Sequence, residues 1–314
     1  MWDKGMRSSG GGSRQVRRVG DGAAGLDGLD AGCYTGGVTA LTAPPPPGRF
    51  ASAETGRIHY RELGAGEPTL LFIHGWGGSM DFWRANTPAL AATRRVLLLD
   101  LPGHGLSDVP TTDCTIGRCA EAAVAVLDAA EVGQAVVVGH SLGAAVVCRF
   151  AREQPQRVRA LVTVDGALIA YPVTPAQREE FLSQFHGPDY RDAVAKFIRA
   201  LFRQRCDAAL REQVVATILR TPQAVLVSAF ASLLEAASWE LAALPWPLLM
   251  LNAPSPLWNE AYLAQVRARA PQLEYQVIPG AGHFLMLERP DAFNAALAAF
   301  VARLSAGAAG GPGS

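Results

Sequence analysis

The apolar residues of this chain fall in short, dense runs separated by stretches with helical spacing, and that pattern narrows the fold more than any other feature. The runs are "TLLFIH" (Thr69 to His74), "RRVLLLD" (Arg94 to Asp100), "AVVVG" (Ala135 to Gly139), "VRALVTVD" (Val158 to Asp165), "PLLMLNA" (Pro247 to Ala253) and "LEYQVI" (Leu273 to Ile278). Strands that are apolar at nearly every position belong in a parallel sheet covered on both faces. Helical patterns lie between most of them, as at Ile116 to Ala130 and Leu142 to Glu153. This alternation predicts an α/β fold with right-handed crossovers. Ahead of it, Phe50 to Leu63 reads as an antiparallel hairpin turning near Thr55–Gly56.

One segment breaks the alternation. Ile169 to Leu244 has helical periodicity without a convincing strand, and carries Tyr171, Phe181, Phe185, Tyr190, Phe197, Phe202, Phe230 and Trp239. A helical insertion of this length between two strands predicts a lid over the carboxyl edge of the sheet. The domain reading is therefore a Gly- and Pro-rich arm at 1–48, a core at 49–168 and 245–304, a helical cap at 169–244, and a tail at 305–314. The arm ends in "APPPPG" and, like the tail, lacks the apolar content to offset the entropy of ordering.

The 314 residues are 49% hydrophobic and carry 28 basic and 28 acidic side chains, a formal net charge of zero. Such balance gives no general attraction for nucleic acid or anionic membranes. No apolar run reaches the ~20 residues of a membrane span. The five scattered cysteines do not form a disulfide framework, and no metal or cofactor is implied. The expected setting is the cytoplasm.

"VVVGHSLGA" (Val136 to Ala144) places G-x-S-x-G, as Gly139, Ser141 and Gly143, after an apolar strand and before a helix. A serine on such a sharp turn is pushed into the cleft, beside backbone N–H groups at a helix start that can receive developing negative charge. Its hydroxyl needs a base. Of the six histidines, His283 lies in a Gly-flanked loop after the last predicted strand and is the candidate base. His74 and His104 sit in turn motifs, where bracing is the expected role. His59 reads as a strand residue, His140 adjoins Ser141, and His186 lies in the lid.

Four motifs in order resemble the α/β-hydrolase family: "HGWGGS" (His74 to Ser79), "DLPGHGLSD" (Asp100 to Asp108), "GHSLG" (Gly139 to Gly143) and "PGAGHFLMLERPDAF" (Pro279 to Phe293). The resemblance covers about Phe50 to Leu304. It implies the α/β-hydrolase fold, a mostly parallel eight-stranded sheet with helices on both faces and a helical cap after strand six. It also implies an oxyanion hole made by the backbone N–H groups of Trp76 and Leu142.

The chain departs from the family at the acid, which usually follows the seventh strand; "NAPSP" there offers no carboxylate. Asp165 ends the preceding strand, one strand spacing of about 4.8 Å away, and is the first candidate. Glu260 is the reserve, although Asn259–Glu260 also reads as a helix cap with a first-turn acid. Glu288 is expected to cap the last helix. Trp83, His140, Trp239 and Trp258 are candidate pocket residues. The expected activity is a serine hydrolase of carboxylic esters or lactones of small apolar or aromatic substrates. Carbon–carbon bond cleavage, acyl transfer on the same residues and a non-catalytic small-molecule receptor remain open alternatives. Haloalkane dehalogenation and epoxide hydrolysis would need Asp at the position of Ser141.

Overall fold

In the computed structural model the described residues are 48–169, 173–203, 206–235 and 243–309, with side chains through Ser305. Nearly all of the proposed arm, the proposed pocket residue Trp239, and residues 310–314 of the proposed tail lie outside them.

The strands are β1 (Arg49–Ala53), β2 (Gly56–Leu63), β3 (Leu70–Ile73), β4 (Val96–Leu99), β5 (Ala135–His140), β6 (Val158–Val164), β7 (Leu248–Asn252) and β8 (Leu273–Val277). They form one eight-stranded sheet in the order β1-β2-β4-β3-β5-β6-β7-β8. β1–β2 and β2–β4 are antiparallel, and the pairings from β4 through to β8 are parallel. This is the expected α/β-hydrolase sheet. Every residue of β3, β4, β5 and β7 is buried, which is why these strands read as unbroken apolar runs. β8 differs from its reading as a buried strand. It is the sheet edge, half-buried with Val277 exposed, and its polar Glu274 and Gln276 fit that position.

The helices are α1 (Thr87–Ala91), α2 (Ile116–Ala129), α3 (Leu142–Glu153), α4 (Pro175–Ser183), α5 (Tyr190–Ala200), α6 (Ala208–Ile218), α7 (Gln223–Leu233), α8 (Glu260–Arg269), α9 (Leu285–Glu288) and α10 (Pro290–Ala309). α4 to α7 form the insertion between β6 and β7. α4 starts on a capping box, with Thr174 Oγ1 accepting from Gln177 N and Gln177 Oε1 from Thr174 N. α10 continues through Ala309, so the first part of the proposed tail is helical. Among the described residues no single helix is long and apolar enough to cross a membrane.

The sheet register sets up the site. Ile73 pairs with Gly139, His140 with Val164, Val164 with Leu251, and Asn252 with Val277. The carboxyl ends of the central strands therefore finish level. The strand order reverses around β3, and the loops leaving such a switch point line a crevice. The "DLPGHGLSD" loop is held beside them by polar contacts. Buried Asp100 accepts from Met80 N at 2.9 Å and Leu106 N at 3.1 Å and pairs with His59 Nδ1 at 2.8 Å. Asp108 accepts from Arg57 N at 2.9 Å.

Trp83 packs into this scaffold. Its side chain is fully buried, 4.9 Å from the Phe72 ring and 6.0 Å from the Phe293 ring. Trp83→Ala should lower unfolding free energy by about 3–5 kcal/mol, measured by denaturant titration. A pocket residue would instead change substrate preference at nearly constant stability.

Candidate active site

Ser141 occupies a backbone conformation with φ 54° and ψ −116°, rare for a residue with a side chain. The surroundings enforce it. A Cβ on Gly139 would lie 2.2 Å from Gly143 O, and one on Gly143 would lie 2.7 Å from Ile73 O. Only glycine fits on either side, so the G-x-S-x-G spacing is a packing requirement. Ser141 N donates to Val164 O at 2.9 Å, tying the elbow to the end of β6.

Asp165 is the next residue after β6 and also has positive φ, at 42°. Its N–H donates to Leu251 O at 2.8 Å. Its Oδ1 accepts from Ala253 N at 2.8 Å, and its Oδ2 accepts from His283 Nδ1 at 2.7 Å. The carboxylate thus reaches His283 from one strand over, braced by the backbone just past β7. The positive φ falls on Asp165 and not on the following Gly166. Gly166 is required for closeness: a Cβ there would meet Ala144 Cβ at 2.4 Å and Ser141 O at 2.9 Å.

The reserve acid lies elsewhere. The Glu260 side chain is 88% exposed and faces Arg267 at 3.5 Å. It opens α8 behind Asn259, whose Oδ1 accepts from Tyr262 N at 3.0 Å, so the helix-start reading describes it. Asn252 is also engaged away from His283. With its amide assigned in the orientation its neighbours require, Nδ2 donates to Leu251 O at 2.9 Å and Oδ1 accepts from Trp258 Nε1 at 3.2 Å. Trp258, proposed as a pocket residue, is accordingly buried, with its ring 5.3 Å from that of Tyr262. It braces the segment after β7.

His283 is held at almost every polar atom. Its N–H donates to Leu201 O at 3.1 Å, its carbonyl accepts from His140 Nε2 at 2.9 Å, and Nδ1–H donates to Asp165. Nε2 alone has no hydrogen-bond partner among the described residues, and the same is true of Ser141 Oγ. The neighbouring amides are fixed as well. Glu288 accepts from Gly282 N at 3.0 Å and from Phe284 N at 3.2 Å. Glu288 therefore clamps the histidine loop and does not cap α10. Burial raises its pKa, against the lowering effect of those two amides.

His140 supports the histidine loop. It is 1% exposed, its ring lies 4.7 Å from that of His283, and burial holds its pKa well below the ordinary histidine value, with the charge of His283 adding to the effect. The neutral ring donates Nε2–H to the His283 carbonyl.

The loop after β3 comes up against the elbow: a Cβ on Gly75 would lie 3.1 Å from Ser141 Cβ. His74 braces it as a neutral tautomer, Nδ1–H donating to Gly75 O at 2.8 Å and Nε2 accepting from Leu101 N at 3.0 Å. Trp76 and Leu142 thus lie on the two segments that meet at Gly75 and Ser141. Leu142 opens α3, so its N–H has no acceptor within the helix.

The Trp76 side chain turns into the cap. Its Nε1 donates to Leu226 O at 2.7 Å, and its ring lies 5.0 Å from Phe230, 5.4 Å from Phe185 and 5.9 Å from Phe197. Phe181 packs on Phe230 at 4.8 Å and on Phe185 at 5.3 Å. These rings pack on one another and on Trp76, with Phe185 buried and Phe181, Phe197 and Phe230 half-buried.

Residues 68–290 match the family model described as the alpha/beta hydrolase fold. The chain belongs to the α/β-hydrolase family. It is 33% identical over 258 residues to a pimeloyl-[acyl-carrier protein] methyl ester esterase of Edwardsiella ictaluri, covering 77% of this chain and 96% of that protein. It is 36% identical over 135 residues to the dihydrolipoyllysine-residue acetyltransferase component of the acetoin cleaving system of Cupriavidus necator, but there it spans only 36% of the relative's length. Among solved structures, a hydrolase from Pseudomonas aeruginosa PA01 superposes with a TM-score of 0.72 at 27% identity, over 82% of this chain and 99% of that one.

The buried histidines make stability depend on pH. Burial lowers the pKa of His74 and His140 and brings that of His104 to about 3. The unfolded chain binds protons at these sites from about pH 6.5 downward, whereas the folded chain does not. Unfolding free energy should be fully retained above about pH 6.5 and fall as the pH drops toward 3. Urea titrations across that range would show a smaller fall in His104→Gln than in the wild type.

Proposed function

We propose that the protein is a serine hydrolase of carboxylic esters or lactones, working through an acyl-enzyme on Ser141. The 2.7 Å contact between Asp165 Oδ2 and His283 Nδ1, beside the strained Ser141 elbow, carries the reading. Asp165 keeps the proton on Nδ1 and favours the imidazolium. The unpartnered Nε2 takes the Ser141 proton as Oγ attacks the carbonyl carbon. The N–H groups of Trp76 and Leu142 receive the developing oxyanion. His283 then protonates the leaving alkoxide, or the ring oxygen of a lactone. Water, deprotonated by Nε2, attacks the acyl carbon, the bond to Ser141 Oγ breaks, and Oγ takes the proton back from Nε2 as the acid is released.

Similarity over nearly the full length of a methyl ester esterase supports the ester class. Carbon–carbon cleavage and acyl transfer can use the same residues, and product analysis separates them from ester hydrolysis. The substrate is a small molecule in each case.

Ser141→Ala should abolish both turnover on an ester and lactone panel and labelling by a fluorophosphonate. Stoichiometric labelling of the wild type without multiple turnover on any ester or lactone would favour a receptor instead. Asp165→Asn should lower kcat by about three to four orders of magnitude, while Glu260→Gln leaves it nearly unchanged. Steady-state kinetics on the best ester of the panel decides between the two carboxylates.

A further inference from the structure

The cap touches the histidine loop through main-chain atoms, which covering a pocket would not require. Leu201 is the first residue past α5, and its carbonyl accepts from His283 N at 3.1 Å. Phe202 stacks on Phe284 with ring centres 4.7 Å apart and planes 19° from parallel. Arg203 Nε donates to Ala281 O at 2.9 Å. Three consecutive cap residues therefore grip the loop on both sides of His283. The intervening Gly282 allows the approach, since a Cβ there would lie 2.9 Å from Leu201 O and 3.0 Å from Arg203 N.

A second attachment joins the cap to the other loop beside Ser141. Trp76 Nε1 donates to Leu226 O at 2.7 Å, and Thr221 Oγ1 donates to Gly77 O at 3.1 Å. The cap is thus fastened to the oxyanion loop by one part and to the histidine loop by another.

We infer that Leu201–Arg203 is a positioning strap, with Arg203 a positioning residue for His283, so that seating the cap and aiming Nε2 at Ser141 are one event. The inference rests on the assignment of His283 as the base of Ser141. The Arg203 side chain is exposed outside its one bond to Ala281 O, so truncating it leaves the core packing intact.

The test uses the full chain. Arg203→Ala should lower kcat and the rate constant for fluorophosphonate labelling of Ser141 together, each by roughly tenfold, the scale of one lost hydrogen bond. KM should stay within about twofold, because the strap does not touch substrate. Arg203→Lys keeps a donor and should recover most of the loss. Arg191→Ala is the matched control: Arg191 Nη1 donates to Leu219 O at 3.1 Å, inside the cap and away from the loop, and its loss should change neither rate. Amide hydrogen exchange at residues 281–284 should be faster in Arg203→Ala than in the wild type. Unchanged exchange, an effect confined to KM, failure of lysine to restore the rate, or an equal loss in Arg191→Ala would each overturn the strap. If the wild type shows neither labelling nor turnover, the serine-hydrolase reading fails, and the exchange experiment still decides whether the strap holds the loop.

Discussion

The hydrogen bond between Asp165 and His283 is the interaction on which the site depends. It joins the residue after β6 to a loop 118 positions further along the chain, and two rare backbone conformations lie close together beside it. Ser141 and Asp165 both have positive φ, and Ser141 N is bonded to Val164 O, immediately before Asp165. Strain of this kind costs on the order of 1–3 kcal/mol per residue and survives where the surroundings over-determine it. Here the parallel ladder on either side of β6 supplies that constraint.

Around this pair the protein uses uncharged imidazoles as fixed connectors. His74 joins the oxyanion loop to Leu101, His104 Nδ1 donates to Pro102 O at 2.8 Å, and His140 joins the elbow to the His283 carbonyl. A neutral imidazole has one donor and one acceptor nitrogen: His74 uses both to bridge two loops, His140 bridges with Nε2, and His104 bonds within its own loop, none bringing a charge into the interior. A further buried ring, that of His59, pairs with the carboxylate of Asp100.

Much of this arrangement was legible in the sequence. The sheet was readable because strands covered on both faces are apolar at every position, and the elbow because close packing admits only glycine around Ser141. Asp165 could be placed as the nearest carboxylate one strand over. Side-chain direction was not legible. Trp83, His140 and Trp258, read from the sequence as candidates for the pocket, are buried and pack against neighbouring rings, and periodicity does not report which way a residue on a turn points. Glu288 and Leu201 were missed as supports for a related reason. They act on backbone amides, one through a carboxylate and the other through a carbonyl that any residue could provide, so neither contact leaves a side-chain pattern around His283. A carboxylate a few residues beyond a Gly-His pair was the one available sign of the Glu288 clamp.

Placing the acid at the end of β6 also divides the chain's tolerance for change in length. The stretch from Asp165 to the cap is pinned at Asp165 N and by the tight fit of Gly166, and any indel there would drag on the carboxylate. The segment between β7 and α8 owes the site only the amide of Ala253. Its outer residues, through the exposed Leu257, are where a homologous lineage could lengthen, shorten or graft a loop with the Asp165–His283 hydrogen bond left in register.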